Sequence, residues 1–150
     1  MRSDIGFKER RYIEELKNAS KSTAIDCIID DGFDRIIYVI KKGDMGLAIG
    51  KDGANIKRLT KTLGKRIEMV EEGEDLQTFV ENIFKPAQIH SAKADEESGK
   101  VNVYLSQRSS LGIAIGKNGC NVAKAGLLLQ RYFGMDMGEV LLLNESEKTE

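Results

Sequence analysis

Read for apolar spacing alone, the chain divides into segments that alternate between a helical and a strand period. From about Asp4 to Ser20, Ile5, Tyr12, Ile13, Leu16 and Ala19 fall mostly at helical spacing among charges, which predicts an amphipathic helix with Asp4 as its cap. Thr23 to Asp30 alternates, with Ile25, Cys27 and Ile29 on one side, and Asp31-Gly32 offers a turn into an apolar run from Arg35 to Lys41. These are the two strands of a hairpin. A short apolar helix ending at Ile49 and a loop from Gly50 to Gly53 lead to a second helix. There Ile56, Leu59 and Leu63 stand at i, i+3 and i+7, and Gly64 supplies a left-handed stop. Arg66 to Glu71 is a third strand.

The order then begins again. Asp75 opens a helix with Leu76, Phe79, Val80 and Ile83 on one face, closed by Pro86. Ala87 to Ala94 reads as a weak strand, Asp95 to Gly99 as a polar turn, and Val101, Val103 and Leu105 alternate in a clearer strand ending near Ser106. A short helix runs into Gly116-Lys117-Asn118-Gly119, and a longer one passes through Val122, Leu129 and Phe133 to Gly134. Glu139 to Asn144 is the closing strand, and Glu145 to Glu150 a polar tail. Each half reads helix, strand, strand, helix, helix, strand. The expected class is α+β, with units at 1–72 and 73–144, a tail at 145–150, and in each unit a three-stranded sheet packed against three helices. Only Glu72 to Glu74 separates the halves, which favours their packing together over free swinging.

The duplication extends to the residues themselves. Gly46-Leu47-Ala48-Ile49-Gly50-Lys51-Asp52-Gly53-Ala54-Asn55 returns 66 positions later as Gly112-Ile113-Ala114-Ile115-Gly116-Lys117-Asn118-Gly119-Cys120-Asn121, with seven of ten residues identical. Both copies keep Gly-Lys-x-Gly at the centre. Glycines at both ends of a loop remove side chains where backbone must approach a ligand, and a following helix N-terminus favours anions. One such turn between helices is more often only a turn. Two in one chain, each carrying a lysine, point to phosphate.

Composition changes this picture less than charge does. Of 150 residues 41% are hydrophobic and 31% charged, with one proline, as in an ordinary globular chain. No apolar run approaches a membrane span and the N-terminal segment lacks a secretory pattern, so a cytoplasmic protein is expected. The net charge of −1 conceals its distribution. Between Lys41 and Arg66 eight cations face two acids, Asp44 and Asp52, for a local charge of +6. Glu68, Glu71, Glu72, Glu74, Asp75 and Glu81 follow with no cation before Lys85, while Gln107 to Phe133 holds Arg108, Lys117, Lys124 and Arg131 and no acid. Both glycine loops thus sit in positive segments, the footprint of a one-sided polyanion surface.

Other chemistries fit poorly. A nucleotide-binding P-loop needs four residues between its glycines and a Ser or Thr after the lysine, but three separate Gly46 from Gly50, Asp52 follows Lys51, and Asn118 follows Lys117. Cys27, Cys120 and His90 lack the spacing of a zinc site or a disulfide framework, so no metal or cofactor is expected. No carboxylate pair or nucleophile-base pair recurs in both halves. Enzymatic activity is therefore not expected.

These residues carry a family resemblance. Ala48-Ile49-Gly50-Lys51-Asp52-Gly53-Ala54-Asn55-Ile56 and Ala114-Ile115-Gly116-Lys117-Asn118-Gly119-Cys120-Asn121-Val122 resemble the Ile-Gly-x-x-Gly-x-x-Ile signature of KH domains, whose GXXG loop clamps about four nucleotides. The order of elements resembles the type II KH fold, and the tandem pair is similar to the archaeal NusA-like transcription termination/antitermination factors. The resemblance implies RNA-binding residues: Gly50, Lys51, Asp52 and Gly53, with Gly116, Lys117, Asn118 and Gly119, at the phosphates through glycine N–H groups and lysine. Ile49 and Ile115 would floor the base groove or simply be core. Lys57, Arg58 and Lys124 would follow the backbone. Single-stranded RNA, a nascent transcript, is the implied partner along one continuous surface, with RNA polymerase as a second. The polymerase-binding and OB-fold domains of bacterial relatives have no counterpart in these residues. An alternative of another class is a ribosome- or processing-associated KH scaffold whose acidic Glu68 to Glu81 stretch faces a partner. The Asp52/Asn118 difference is where the two loops are expected to differ in strength.

Overall fold

The computed structural model describes residues 6–144, which divide into two compact units, 6–72 and 73–144. In the N-terminal unit α1 (Phe7–Ser20) precedes β1 (Ala24–Asp30) and β2 (Arg35–Ile40), and α2 (Met45–Ile49) and α3 (Ala54–Leu63) lead to β3 (Arg66–Glu71). The C-terminal unit repeats the order with α4 (Leu76–Phe84), β4 (Ser91–Asp95), β5 (Lys100–Leu105), α5 (Leu111–Ile115), α6 (Cys120–Phe133) and β6 (Asp136–Leu142). Its sheet runs β4-β5-β6, matching β1-β2-β3. In both sheets the first two strands pair antiparallel and the last two parallel. Antiparallel neighbours need only a hairpin, whereas parallel neighbours require a long crossover. That crossover is the helix-loop-helix holding the glycine pair, so sheet topology itself places each loop at the junction of two helices.

The N-terminal core forms where Ile36, Tyr38 and Ile40 of β2 meet Tyr12 and Leu16 of α1 and Leu59 of α3, with Ala48 and Ile67 completing the cluster. Tyr38 is buried, and its hydroxyl donates to the Tyr12 carbonyl at 2.8 Å, which ties helix to sheet. Burial pushes that hydroxyl far above the ordinary tyrosine pKa. Arg35, fully buried, crosses all three strands: Nε donates to Asp30 Oδ2 at 2.7 Å and a terminal nitrogen to Glu68 Oε2 at 2.8 Å. Desolvation disfavours its charge, but the bonds to Glu68 and Asp30 outweigh this and hold its pKa above the usual value. In the C-terminal unit α4 buries Phe79, Val80, Ile83 and Phe84. Phe79 meets Tyr132 of α6 edge-on, with centroids 5.3 Å apart.

The elements depart from their sequence expectations at four places. Asp4 and Ile5 lie outside the described residues, as does the tail at 145–150; α1 starts at Phe7 behind Gly6. A bulge between Ala24 and Asp26 shifts the phase of β1, so Ala24 and Cys27 both enter the core while Ile25 is only half-buried. The strand expected from Ala87 begins only at Ser91. Ala87 N–H still bonds the Phe84 carbonyl in the turn after α4, and His90 N–H to Tyr104 carbonyl, 2.7 Å, is where cross-strand pairing starts. The last strand runs Asp136–Leu142 instead of 139–144, because pairing of Lys100 with Asp136 starts it directly after the Gly134 cap. Gly138 leaves room there for Asn102, whose Oδ1 accepts the Glu139 N–H at 2.9 Å across a second bulge. Among the described residues no helix is long and apolar enough to cross a membrane.

Candidate nucleic-acid interface

Both crossovers bend through the same backbone path. Gly50 and Gly116 have φ 79 with ψ 167 and 166, a conformation reserved for glycine. Asp52 (φ 55, ψ 28) and Asn118 (φ 57, ψ 24) are left-handed, as are Gly53 (φ 74, ψ 18) and Gly119 (φ 75, ψ 21). Outside glycine, Asp and Asn tolerate this region best, which explains why the two loops differ by that exchange and no larger one. The first glycine of each pair also faces steric pressure. A Cβ on Gly50 would stand 3.0 Å from the Asn55 amide nitrogen, and one on Gly116 3.0 Å from that of Asn121. The second glycine faces open space: only Lys57 Cε comes within 4 Å of a Cβ on Gly53, and nothing does at Gly119.

Each loop is closed by its own bonds. Gly50 N–H bonds the Gly46 carbonyl at 3.0 Å and Gly53 N–H the Gly50 carbonyl at 3.1 Å; Gly116 and Gly119 repeat these bonds to Gly112 and Gly116. All four glycine N–H groups, expected at a phosphate, are engaged within the loops. Between the glycines each loop exposes a residue pair, Lys51 and Asp52 or Lys117 and Asn118, just before α3 or α6. A side chain completes the closure. Asn55 Nδ2 donates to the Leu47 carbonyl at 2.8 Å and Asn121 Nδ2 to the Ile113 carbonyl at 2.8 Å, strapping the second helix to the first. Sequence reasoning did not single out these asparagines, although their presence in both copies is the signal that marks them.

The flanks differ between the units. Lys57 and Arg58 are exposed on α3, the latter reaching the Ala19 carbonyl at 3.4 Å. Lys124, expected to follow an RNA backbone, is instead 5% exposed and engaged within the protein, whereas Arg58 at the matching position is exposed. Its place on α6 falls on the side packed with Ala125 and Leu128. Ile49 and Ile115 are half-buried, partway between the groove and core roles open to them. The exposed apolar groups are their neighbours, Leu47 and Ile113, 54% and 52% exposed at matching positions of α2 and α5. Apolar residues exposed at the same place twice line the approach to each loop.

The acids of the stretch from Glu68 to Glu81 are half-buried or exposed, and five of them make bonds within their own units. Glu68 bonds Arg35 and Arg66, Glu71 Oε2 accepts the Gly43 N–H at 3.0 Å, and Glu72 Oε2 accepts the Lys42 N–H at 2.9 Å. Asp75 Oδ1 caps α4 by accepting the Thr78 N–H at 2.7 Å, a bond that holds its carboxyl below the usual carboxylate pKa. Glu81 accepts from Gln77 at 3.0 Å. Cys27 lies in the core, Cys120 is half-buried, and among the described residues no His, Cys, Asp and Glu group is arranged to hold a metal ion.

Comparison with known proteins agrees with this geometry. A family model for the KH domain matches residues 10–105, and one for the NusA-like second KH domain matches residues 76–136. Over 136 residues the chain is 31% identical to the probable transcription termination protein NusA of Halococcus morrhuae, covering 91% of this chain and 96% of that one. The chain belongs to the archaeal NusA-like family of tandem KH-domain proteins. A second NusA-like relative, the probable transcription termination protein NusA of Halobacterium salinarum, is 34% identical over 127 residues, 85% of this chain and 90% of its own. The NusA-like fold is matched by the crystal structure of APE1850, with a TM-score of 0.81 at 37% identity, covering 93% of this chain and 100% of that one.

Proposed function

We propose that this NusA-like protein binds single-stranded RNA through both GXXG loops and acts on transcription elongation or termination, with a nascent transcript as its RNA and RNA polymerase as a further partner. The observation that carries the reading is the duplicated loop, closed by its own bonds and open above its second glycine. A loop already rigid before binding loses little entropy on meeting its ligand. Lys51 or Lys117 supplies charge to a phosphate, and the apolar Leu47 or Ile113 beside it supplies a surface for an unstacked base. Two such sites on one chain raise the effective concentration of the second once the first is filled. The relatives' name as transcription termination proteins supports the setting. The scaffold reading draws no such support, because most of the acids it would turn to a partner make bonds within their own units.

The test is the chain carrying both Gly53→Asp and Gly119→Asp. Aspartate accepts the left-handed backbone, as Asp52 already does at φ 55, and the space above each glycine admits the side chain. The fold is therefore kept while a carboxylate is set where phosphate would lie. Affinity for a fluorescent single-stranded RNA should fall about tenfold or more. Undiminished binding by a folded double variant would overturn the mechanism.

A further inference from the structure

The two copies are alike in backbone and unlike in charge. Helices α3 and α6 both begin directly after the second loop glycine, so positions 57, 58 and 61 match 123, 124 and 127. On α3 these are Lys57, Arg58 and Lys61, all exposed. On α6 they are half-buried Ala123, buried Lys124 and Leu127, 39% exposed. Positions 54, 57, 58 and 61 share one helical stripe leading away from the loop, about 10 Å long at the usual rise. The stripe is basic in one unit and uncharged at its surface in the other. At the loop tip the order reverses: Lys51 is offset by Asp52, whereas Lys117 stands beside neutral Asn118. Before the loop Lys42 matches Arg108, while exposed Lys41 matches neutral Gln107, which adds to the contrast in the tip and the helix.

Resting on the RNA-binding reading above, we infer that the two units divide the work on one RNA. The N-terminal unit holds the sugar-phosphate backbone along the cations of α3, and the C-terminal unit holds it at the loop tip and places bases against the exposed apolar side chains Ile113 and Leu127. Salt sensitivity then resides mainly in the N-terminal unit and base preference mainly in the C-terminal unit. Phosphate contacts position a strand without reading it, and bases are selected on surfaces that do not compete for the backbone.

The test measures binding of the full chain to single-stranded RNAs over a salt series. Each lost phosphate contact on single-stranded nucleic acid flattens the log-log slope by about 0.7. Neutralising Lys57→Gln, Arg58→Gln and Lys61→Gln together should flatten it by about 2, while Lys8→Gln, Arg10→Gln and Arg11→Gln on α1 should leave it unchanged. Leu127→Ala should lower affinity about fivefold at every salt concentration and narrow the spread among homopolymeric RNAs, with the slope intact. In reverse, Leu127→Lys should steepen the slope by about 0.7. If the triple change on α3 flattens the slope no more than the control on α1, or if Leu127→Ala leaves base preference untouched, the division of labour is wrong while the RNA reading stands. Should the double glycine-to-aspartate chain bind undiminished, the RNA reading falls and this inference with it.

Discussion

Within each Gly-x-x-Gly pair the two glycines are required for different reasons, and alanine distinguishes them. Gly50 sits at φ 79, ψ 167, where any other residue costs about 1–3 kcal/mol. Its Cβ would also meet Asn55 Nδ2 at 2.9 Å and the Asn55 amide nitrogen at 3.0 Å. The side chain can retreat only by giving up its bond to Leu47, a further loss of about 1 kcal/mol. Gly50→Ala should therefore cost about 3 kcal/mol. Gly53 is merely left-handed, with Lys57 Cε at 3.9 Å the nearest atom to its missing Cβ, so Gly53→Ala should cost about 1 kcal/mol. With a urea dependence of about 2 kcal/mol per molar, the two midpoints for the N-terminal unit should differ by about 1 M. Gly116→Ala and Gly119→Ala provide an internal replicate, since a Cβ on Gly116 meets Cys120 Sγ at 2.8 Å and one on Gly119 meets nothing within 4 Å. Equal shifts within a pair, or a larger shift for the second glycine, would refute this account of the loop.

Three further outcomes follow from the same contacts. Arg35→Met leaves Asp30 and Glu68, whose side chains are 11% and 18% exposed, without their shared cation and should cost about 3 kcal/mol, with partial recovery when Asp30→Asn is added; a neutral effect in urea denaturation would count against the three-strand clamp. Asn121→Ala removes the strap to Ile113 and should lower stability by about 1 kcal/mol or less, yet weaken RNA binding by more than that loss accounts for, as measured by titration of the folded variant. The Asp75 cap predicts a pH dependence. Because the Thr78 N–H holds its folded pKa below the usual carboxylate value, the charge-dependent part of its stabilisation is complete above that usual value and is lost as acid protonates it, so melting curves of Asp75→Ala and the parent should differ most at neutral pH and draw together as the pH falls below the usual carboxylate range.

Most of the architecture was legible because the chain states it twice. Helical spacing at Ile56, Leu59 and Leu63, the stop at Gly64, and the run Arg66–Glu71 all appear where they were read, since local pattern and tertiary packing agree there. Two of the misread strands share another cause. In β1 and β6 a bulge changes which residue faces inward, and a bulge is set by cross-strand pairing, to which a single strand's alternation is blind. Lys124 failed for a related reason. Its equivalent, Arg58, is exposed, so the repeat itself suggested exposure, but the larger apolar face of α6, with Ala125, Leu128 and Leu129 buried, carries position 124 inward. Leu47 and Ile113 were not singled out, because apolar spacing over a five-residue helix does not show which of its positions faces out.

The acids explain why net charge was uninformative. Lys41 to Arg66 carries a local excess of cations, and three of the carboxylates that balance it in sequence are bonded to that segment or to Arg35. Glu71 and Glu72, at and just beyond the end of β3, accept the backbone N–H groups of Gly43 and Lys42 at the corner where β2 gives way to α2. Negative charge is thus consumed in aiming the crossover that holds the positive loop. Were Glu71 and Glu72 both replaced by Gln, the positive charge would rise by two units, and a purely electrostatic surface would then bind RNA more tightly at all salt concentrations. The geometry predicts otherwise: a neutral amide is the weaker acceptor, the corner loosens, and the gain from charge is offset by poorer presentation of Lys51. Binding that strengthens at low salt yet weakens at high salt, where screening removes the charge term and leaves the positional one, is the expected signature, and tighter binding across the whole salt series would show that these acids do no more than carry charge.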